Sequence, residues 1–241
     1  MPPAVRQLPA QHVSATADLF APLVEASPDY PYVIAQLGQS LDGRIATPTG
    51  ASRWINRDCA LDHVHRLRAN VDAVVVGVRT VLTDDPFLNV RRVPGKNPAR
   101  VVIDPNGRTP QTARCLANDG APRLVIKGSI TGTSSLADVI AVPSENGWMA
   151  PDKIVAELFA RGFRKILVEG GARTVSSFID AGVVDRLHVL VAPVVLGSGM
   201  TGLSLSPICK IEEALRPVTR VHVLDDGDVL FDCDLRLARP A

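Results

Sequence analysis

A chain of 241 residues with a formal net charge of +1 gives no electrostatic case for nucleic acid or an anionic membrane as partner. Its residues are 46% hydrophobic but only 4% aromatic, which points to an aliphatic, sheet-centred core and leaves room for one large α/β domain. No apolar run approaches the roughly 18–20 residues that span a bilayer, the first residues lack a hydrophobic signal core, and Cys59, Cys115, Cys209 and Cys233 form no Cys-x-x-Cys pair, so the expectation is a cytoplasmic protein with reduced thiols and no metal site.

Residues 1–30, rich in Ala and Pro, read as an N-terminal extension with one short helix around Ala15–Ala26. From residue 31 to 241 a single domain is expected. Its strands are Tyr32–Leu37, Ala73–Gly77, Arg100–Asp104, Arg123–Lys127, Lys165–Glu169 and Leu187–Ala192, mostly short Val/Ile/Leu runs of the kind covered on both faces. Helices are expected over Arg57–Asn70, capped by Asn56, and over Pro151–Arg161 and Thr174–Ala181. Strands alternating with helices imply a mainly parallel mixed sheet between helical layers. Near the end, Arg220–Leu224 and Val229–Leu235 flank Asp225-Asp-Gly-Asp228, which signals an antiparallel hairpin at one sheet edge.

The residues with chemistry collect where strands end. Val76-Gly77, Ile103-Asp104-Pro105 and Val168-Glu169-Gly170-Gly171 all close strands, and open α/β sheets bind ligands beyond their carboxyl ends. The run Lys165-Ile-Leu-Val-Glu-Gly-Gly171 leads into Ala172-Arg-Thr-Val-Ser-Ser-Phe178 with helix-start character. A glycine turn there aims bare backbone N–H groups and a helix N-terminus at whatever sits above the sheet, which suits phosphate. Glycines also serve purely steric ends in such turns.

In the Arg57–Asn70 helix, Ala60, Leu61, Val64, Leu67 and Val71 mark the buried stripe, with Arg68 on its flank. A half-buried arginine needs an anion, either an ion-pair partner or a phosphate. Trp54, in the polar loop Gly50–Asn56, is either a packing plug or a flat wall for a base. Asp42-Gly43 and Asp84-Asp85-Pro86 have turn character. His63 and His65, two apart, fall on different faces of the helix.

Gln39-Ser-Leu-Asp-Gly-Arg-Ile-Ala46, Ser52-Arg-Trp-Ile55, His65-Arg-Leu-Arg-Ala69, Val76–Pro86, Leu167-Val-Glu-Gly-Gly171 and Ala192-Pro-Val-Val-Leu-Gly197, taken in order, resemble the reductase domain of bacterial riboflavin biosynthesis. The resemblance implies a dihydrofolate-reductase-like three-layer α/β/α fold, NADPH as hydride donor, a phosphorylated pyrimidine as substrate and a homodimer. The implied reaction reduces the ribosyl side chain of 5-amino-6-(5-phosphoribosylamino)uracil to the ribityl form. Gly38, Trp54, Thr80 and Asp84 match cofactor positions, as does the stretch Gly170, Gly171, Ala172, Arg173, Thr174, Val175, Ser176 and Ser177. Ser52, Arg68, Leu88, Arg91 and Glu169 match substrate positions. Asp42 and Glu169 are the carboxylates expected beside the reacting ribose.

The zinc-deaminase motifs His-x-Glu and Pro-Cys-x-x-Cys of bifunctional relatives are missing, so only the reductase half is expected. Where the family commonly has Gly-Gly-Pro-Thr, this chain has Gly170-Gly171-Ala172-Arg173. Arg173 then either reaches the cofactor's 2′-phosphate or faces solvent. Rival readings are a reductase of the related 2,5-diamino pyrimidinone or of a pterin, and a non-catalytic nucleotide-binding protein.

Overall fold

The computed structural model describes residues 19–128 and 137–236. Of the expected N-terminal helix the described residues show helical Leu19 and one turn, α1 (Ala21–Val24); residues 15–18 lie outside the described part. Leu19 and Leu23 are buried, and the Phe20 ring packs on His63, so the chain from residue 19 onward is already part of the packed body.

Among the described residues thirteen strands follow: β1 (Tyr32–Ser40), β2 (Arg44–Ala46), β3 (Ala73–Gly77), β4 (Ala99–Ile103), β5 (Arg123–Lys127), β6 (Asp138–Ala141), β7 (Ser144–Glu145), β8 (Trp148–Met149), β9 (Lys165–Glu169), β10 (Arg186–Ala192), β11 (Met200–Thr201), β12 (Val218–Val223) and β13 (Val229–Asp234). The helices between them are α2 (Asp58–Ala69), α3 (Val78–Asp84), α4 (Pro151–Ala160) and α5 (Ala172–Asp180). The main sheet has nine strands in the order β12-β13-β10-β1-β9-β3-β4-β5-β6. From β10 to β6 every neighbouring pair is parallel, while β13 pairs antiparallel with both β10 and β12. The expected α/β architecture with a closing hairpin is therefore present.

The strands alternate between two cores with the period of two that a pleated strand imposes. In β3, Ala73 and Val75 join one core with Ile154, Leu158 and Phe178 from α4 and α5. Val74 and Val76 join the other with Leu67, Val78 and Val81 from α2 and α3. Ile166 and Val168 of β9 take the first side and Leu167 the second. Two buried faces explain why these strands are written in Val, Ile and Leu without polar interruption.

The N-terminus of α2 corrects the expected cap. Arg57, not Asn56, is the capping residue, and it offers no side-chain bond. The open N–H groups are met by the hairpin turn instead: Asp228 Oδ2 accepts from Arg57 N at 2.8 Å and Asp226 Oδ2 from Cys59 N at 2.8 Å. Asn56 faces the same carboxylate, donating to Asp228 Oδ2 at 3.1 Å. The expected buried stripe is also wider than a single face. His63 and His65 are both buried, on opposite sides: His63 Nε2 meets His188 Nδ1 at 2.9 Å, while His65 faces the loop after α3. Leu61 and Val64 are only half-buried and line the cleft described next.

Candidate active site

Parallel register brings the carboxyl ends of β1, β3, β4 and β9 to one sheet edge; Gln36 pairs with Glu169, and Gly77 with Ile103. Above that edge lies a cleft of about 940 Å³, adjoined by a recess of about 540 Å³. Gly38, Ser52, Arg68, Asp84, Leu88 and Arg91 border both spaces.

At the end of β9 the chain turns through Gly170 and Gly171, at φ 72° and 74°, in the left-handed region that penalises any Cβ. A side chain is excluded for space as well: a Cβ on Gly171 would stand 2.9 Å from Thr80 Oγ1, and one on Gly77 2.5 Å from Thr174 Oγ1. Thr80 and Thr174 thus fill the room the glycines leave. Helix α5 opens at Gly171 without a side-chain cap, and the N–H groups of Thr174 and Val175 both turn back to Gly171 O. Those of Ala172 and Arg173 meet no acceptor among the described residues, leaving two donors at the positive end of a helix dipole.

Ala172, Arg173, Thr174 and Ser177 line the cleft. Val175 and Ser176, expected beside them, do not. Val175 is fully buried in the core, and Ser176 Oγ accepts from Ser204 N at 2.9 Å. The helical period of 3.6 residues puts these two positions on the inner face.

Glu169 and Arg68 form a bidentate pair across the cleft wall: Nε donates to Oε2 at 2.9 Å and Nη2 to Oε1 at 2.6 Å. The third arm, Nη1, donates to Asn89 O at 3.1 Å. Of the two sequence readings of Arg68, the ion pair is what stands in the structure. Arg91, whose Nη1 donates to Asn89 Oδ1 at 3.0 Å, is drawn below its ordinary basicity by burial and then by the neighbouring Arg68 cation, yet an arginine remains charged. Arg79 and Arg173 also line the cleft and pair with no described residue. Burial raises the Asp84 carboxyl, against the pull of Arg53.

Asp42, expected beside the reacting ribose, stands apart from the other site residues. It lines neither space. Ser40 Oγ donates to its carboxylate at 2.6 Å, and the N–H groups of Leu196 and Gly197 at 3.1 and 2.7 Å. The Ser40 bond, then the backbone bonds, hold its pKa down to about 2. Asp42 fastens the turn after β1 to the loop after β10. Trp54 borders the recess and is 84% exposed, so it plugs nothing.

Among the described residues four non-glycine residues have positive φ: Trp54, Asp85, Leu88 and Asn146. Trp54, Leu88 and Asn146 line the two spaces, and Asp85 stands between the lining residues Asp84 and Pro86. Strain of this kind costs of order 1–3 kcal/mol per residue and gathers at functional sites. Asp85 is held by Arg114, whose backbone N–H donates to Oδ1 at 2.8 Å and whose Nε donates to Oδ2 at 3.0 Å.

Several lining residues carry no sequence signal of their own. Asn56, Arg114, Asn106, Arg108 and the hairpin β7–β8 with Trp148 reach the cleft only through tertiary packing. For His65 the motif His65-Arg-Leu-Arg-Ala69 was the one available pointer. Among the described residues no group of three or more His, Cys, Asp or Glu is placed to hold a metal, and no helix is long and apolar enough to cross a membrane.

A family model described as the RibD C-terminal domain matches residues 31–222. The riboflavin biosynthesis protein RibD of Aquifex aeolicus is 35% identical over 217 residues, covering 83% of this chain and 57% of that protein. A 2,5-diamino-6-ribosylamino-4(3H)-pyrimidinone 5′-phosphate reductase of Methanothermobacter thermautotrophicus is 37% identical over 174 residues, covering 69% of this chain and 80% of that one. The solved Acinetobacter baumannii RibD superposes with a TM-score of 0.72 at 30% identity, over 85% of this chain and 58% of that one. This chain thus spans about half the length of the RibD proteins it matches.

Proposed function

The chain belongs to the RibD C-terminal domain family, and from that premise we propose that it is an NADPH-dependent reductase converting the ribosyl side chain of 5-amino-6-(5-phosphoribosylamino)uracil to the ribityl form in riboflavin biosynthesis. One juxtaposition carries this. The bare start of α5, with its glycine turn, and the Arg91-bearing loop face a common cleft, separated by the Arg68–Glu169 pair. Two anionic ligands have two distinct cationic or N–H-rich walls to occupy.

The residues fit a phosphorylated dinucleotide on the first wall. No Cβ projects from Gly170 or Gly171, Ala172 and Arg173 offer unbonded N–H groups, and the Arg79 and Arg173 guanidiniums are unpaired among the described residues. We assign Gly38, Trp54, Thr80, Asp84, Gly170–Thr174 and Ser177 to the cofactor, and Ser52, Arg68, Leu88, Arg91 and Glu169 to the substrate. When bound, NADPH supplies the hydride. The chain's own work is alignment and electrostatics: Arg91 meets the 5′-phosphate, and Glu169, fixed by two guanidinium bonds, presents a rigid acceptor edge to the ribose. Asp42, committed to Ser40 and the 196–197 backbone, takes no part in the chemistry.

The 2,5-diamino pyrimidinone is the second reading. The chain covers 80% of the Methanothermobacter reductase bearing that name and 93% of one from Archaeoglobus fulgidus, so its match to these shorter relatives runs nearly their whole length. Loss of NADPH absorbance, measured with each pyrimidine and with a pterin, discriminates. Turnover with the uracil compound at a kcat/KM well above the diamino compound is expected. Tight NADPH binding without oxidation by any of the three would favour a non-catalytic binding protein.

The protein is further proposed to work in the cytoplasm, where NADPH and phosphorylated pyrimidines are held, as a homodimer of domains comprising residues 31–241, residues 1–30 forming an extension that packs on the domain from Leu19 onward. Supporting the dimer, the outer hairpin exposes Val218, Val221, Val223 and Phe231. Sedimentation at the mass of one chain would refute it.

A further inference from the structure

Leu88 and Arg91 reach the cleft from a loop with no regular structure, and Leu88 is held at φ 55°, a conformation a branched side chain resists. Something must restrain such a loop. Helix α2 does so: Asp58 and Asp62 hold the Arg92 side chain, and two further bonds hold the loop backbone. Arg68 Nη1 donates to Asn89 O at 3.1 Å, and His65, three residues earlier on the helix, accepts Arg91 N–H on its Nδ1 at 3.1 Å. The loop's own ties are local: Asn97 Oδ1 accepts from Val90 N at 2.7 Å, and Asn89 Oδ1 accepts from Arg91 Nη1.

We propose that His65 is a positioning residue for substrate phosphate recognition, its Nδ1 fixing the backbone of Arg91 so that the guanidinium is aimed before substrate arrives. An imidazole accepts a hydrogen bond on Nδ1 only when that nitrogen carries no proton, so the ring must be the neutral Nε2–H tautomer. The surroundings enforce that state. Burial first, then the cations of Arg68, Arg91 and Arg92, hold the His65 pKa down to about 4, against a weaker pull from Asp62. His65 itself is 3% exposed. Its contribution is preorganisation: the ordering of Arg91 is completed on folding rather than on binding.

This rests on the reading that Arg91 meets the substrate's phosphate, and the test separates the two. In His65→Asn the amide oxygen takes the place of Nδ1; in His65→Gln the amide reaches the Nε2 position and leaves Arg91 N–H without its acceptor. Hydrogen exchange at Leu88–Arg92 and steady-state kinetics are measured on both. For His65→Gln, faster exchange and a KM for the phosphorylated pyrimidine raised about tenfold are expected, the scale of one lost hydrogen bond. KM for the phosphate-free ribosyl analogue and Kd for NADPH should stay within about twofold of the parent. His65→Asn should return both readouts close to the parent.

Equal impairment by Asn and Gln would overturn the proposal. So would faster exchange with no phosphate-selective rise in KM. If the parent reduces no pyrimidine, the functional reading falls, and exchange alone decides the role of His65: unchanged protection in His65→Gln overturns it, and loss restored by Asn upholds it. Should His65→Gln fail to fold, ¹⁵N NMR of the parent decides, since a ring protonated on Nδ1 near neutral pH is incompatible with the proposal.

Discussion

Arg68 directs all three arms of its guanidinium at protein groups, two at Glu169 and one at Asn89. It is therefore a strut between the end of β9 and the loop bearing Leu88 and Arg91 as well as a charge at the cleft. Removing one member of a buried, hydrogen-bonded pair strands the other, at about 3–5 kcal/mol. Arg68→Ala and Glu169→Ala should each lose stability on that scale in urea unfolding. Arg68→Met/Glu169→Leu should recover most of it, because the uncompensated charge is gone, while turnover stays lost. If each single variant unfolds like the parent, the pair is not structural. Arg68 was visible in the sequence as a cation on the flank of an apolar stripe. Its partner lies 101 residues away and becomes a neighbour only because β9 runs beside β3, so no local pattern could name it. The same reason bears on Asp42: a carboxylate in a turn looks uncommitted until the backbone of the loop 154 residues further on donates to it, though the residue itself stays exposed.

At the scale of elements, long apolar strands were legible because two buried faces write them in aliphatic residues. The strands not anticipated are brief. Arg44–Ala46, Ser144–Glu145, Trp148–Met149 and Met200–Thr201 are too short to display a period, and Asp138–Ala141 mixes polar and apolar residues. The boundaries of α2 came within a residue of expectation while its cap did not, since the capping carboxylates arrive from the β12–β13 turn. Asp228 is fully buried and serves both Arg57 N and Asn56. Asp228→Ala should therefore cost about 1–2 kcal/mol, the upper end for a lost cap, with a matching fall in unfolding midpoint. An Asp228→Asn variant, which keeps an acceptor, should recover part of it. A change below measurement for Asp228→Ala would mean the helix start is satisfied by water.

For the whole molecule, the cleft is a property of sheet order. Strands β1, β3 and β9 come from distant parts of the chain and meet only when β9 inserts between the other two. Every residue lining the cleft lies between Gln36 and Thr201, yet the helix bearing His65 and Arg68 is finished by Asp226 and Asp228, and β10 is backed by β13. A chain ending at Leu215 keeps the entire cleft wall and should still fail to bind NADPH, as read by cofactor fluorescence; parent-like binding would refute this. On the ribosome the consequence is one of timing. Synthesis runs from the amino end, so the substrate wall emerges early and waits, without its helix cap, until the last hairpin leaves the exit tunnel. Such long-range closure is slow to form. It also ties an intact site to arrival of the final strand, so that a nascent chain abandoned before that point carries the cleft residues but not the cleft.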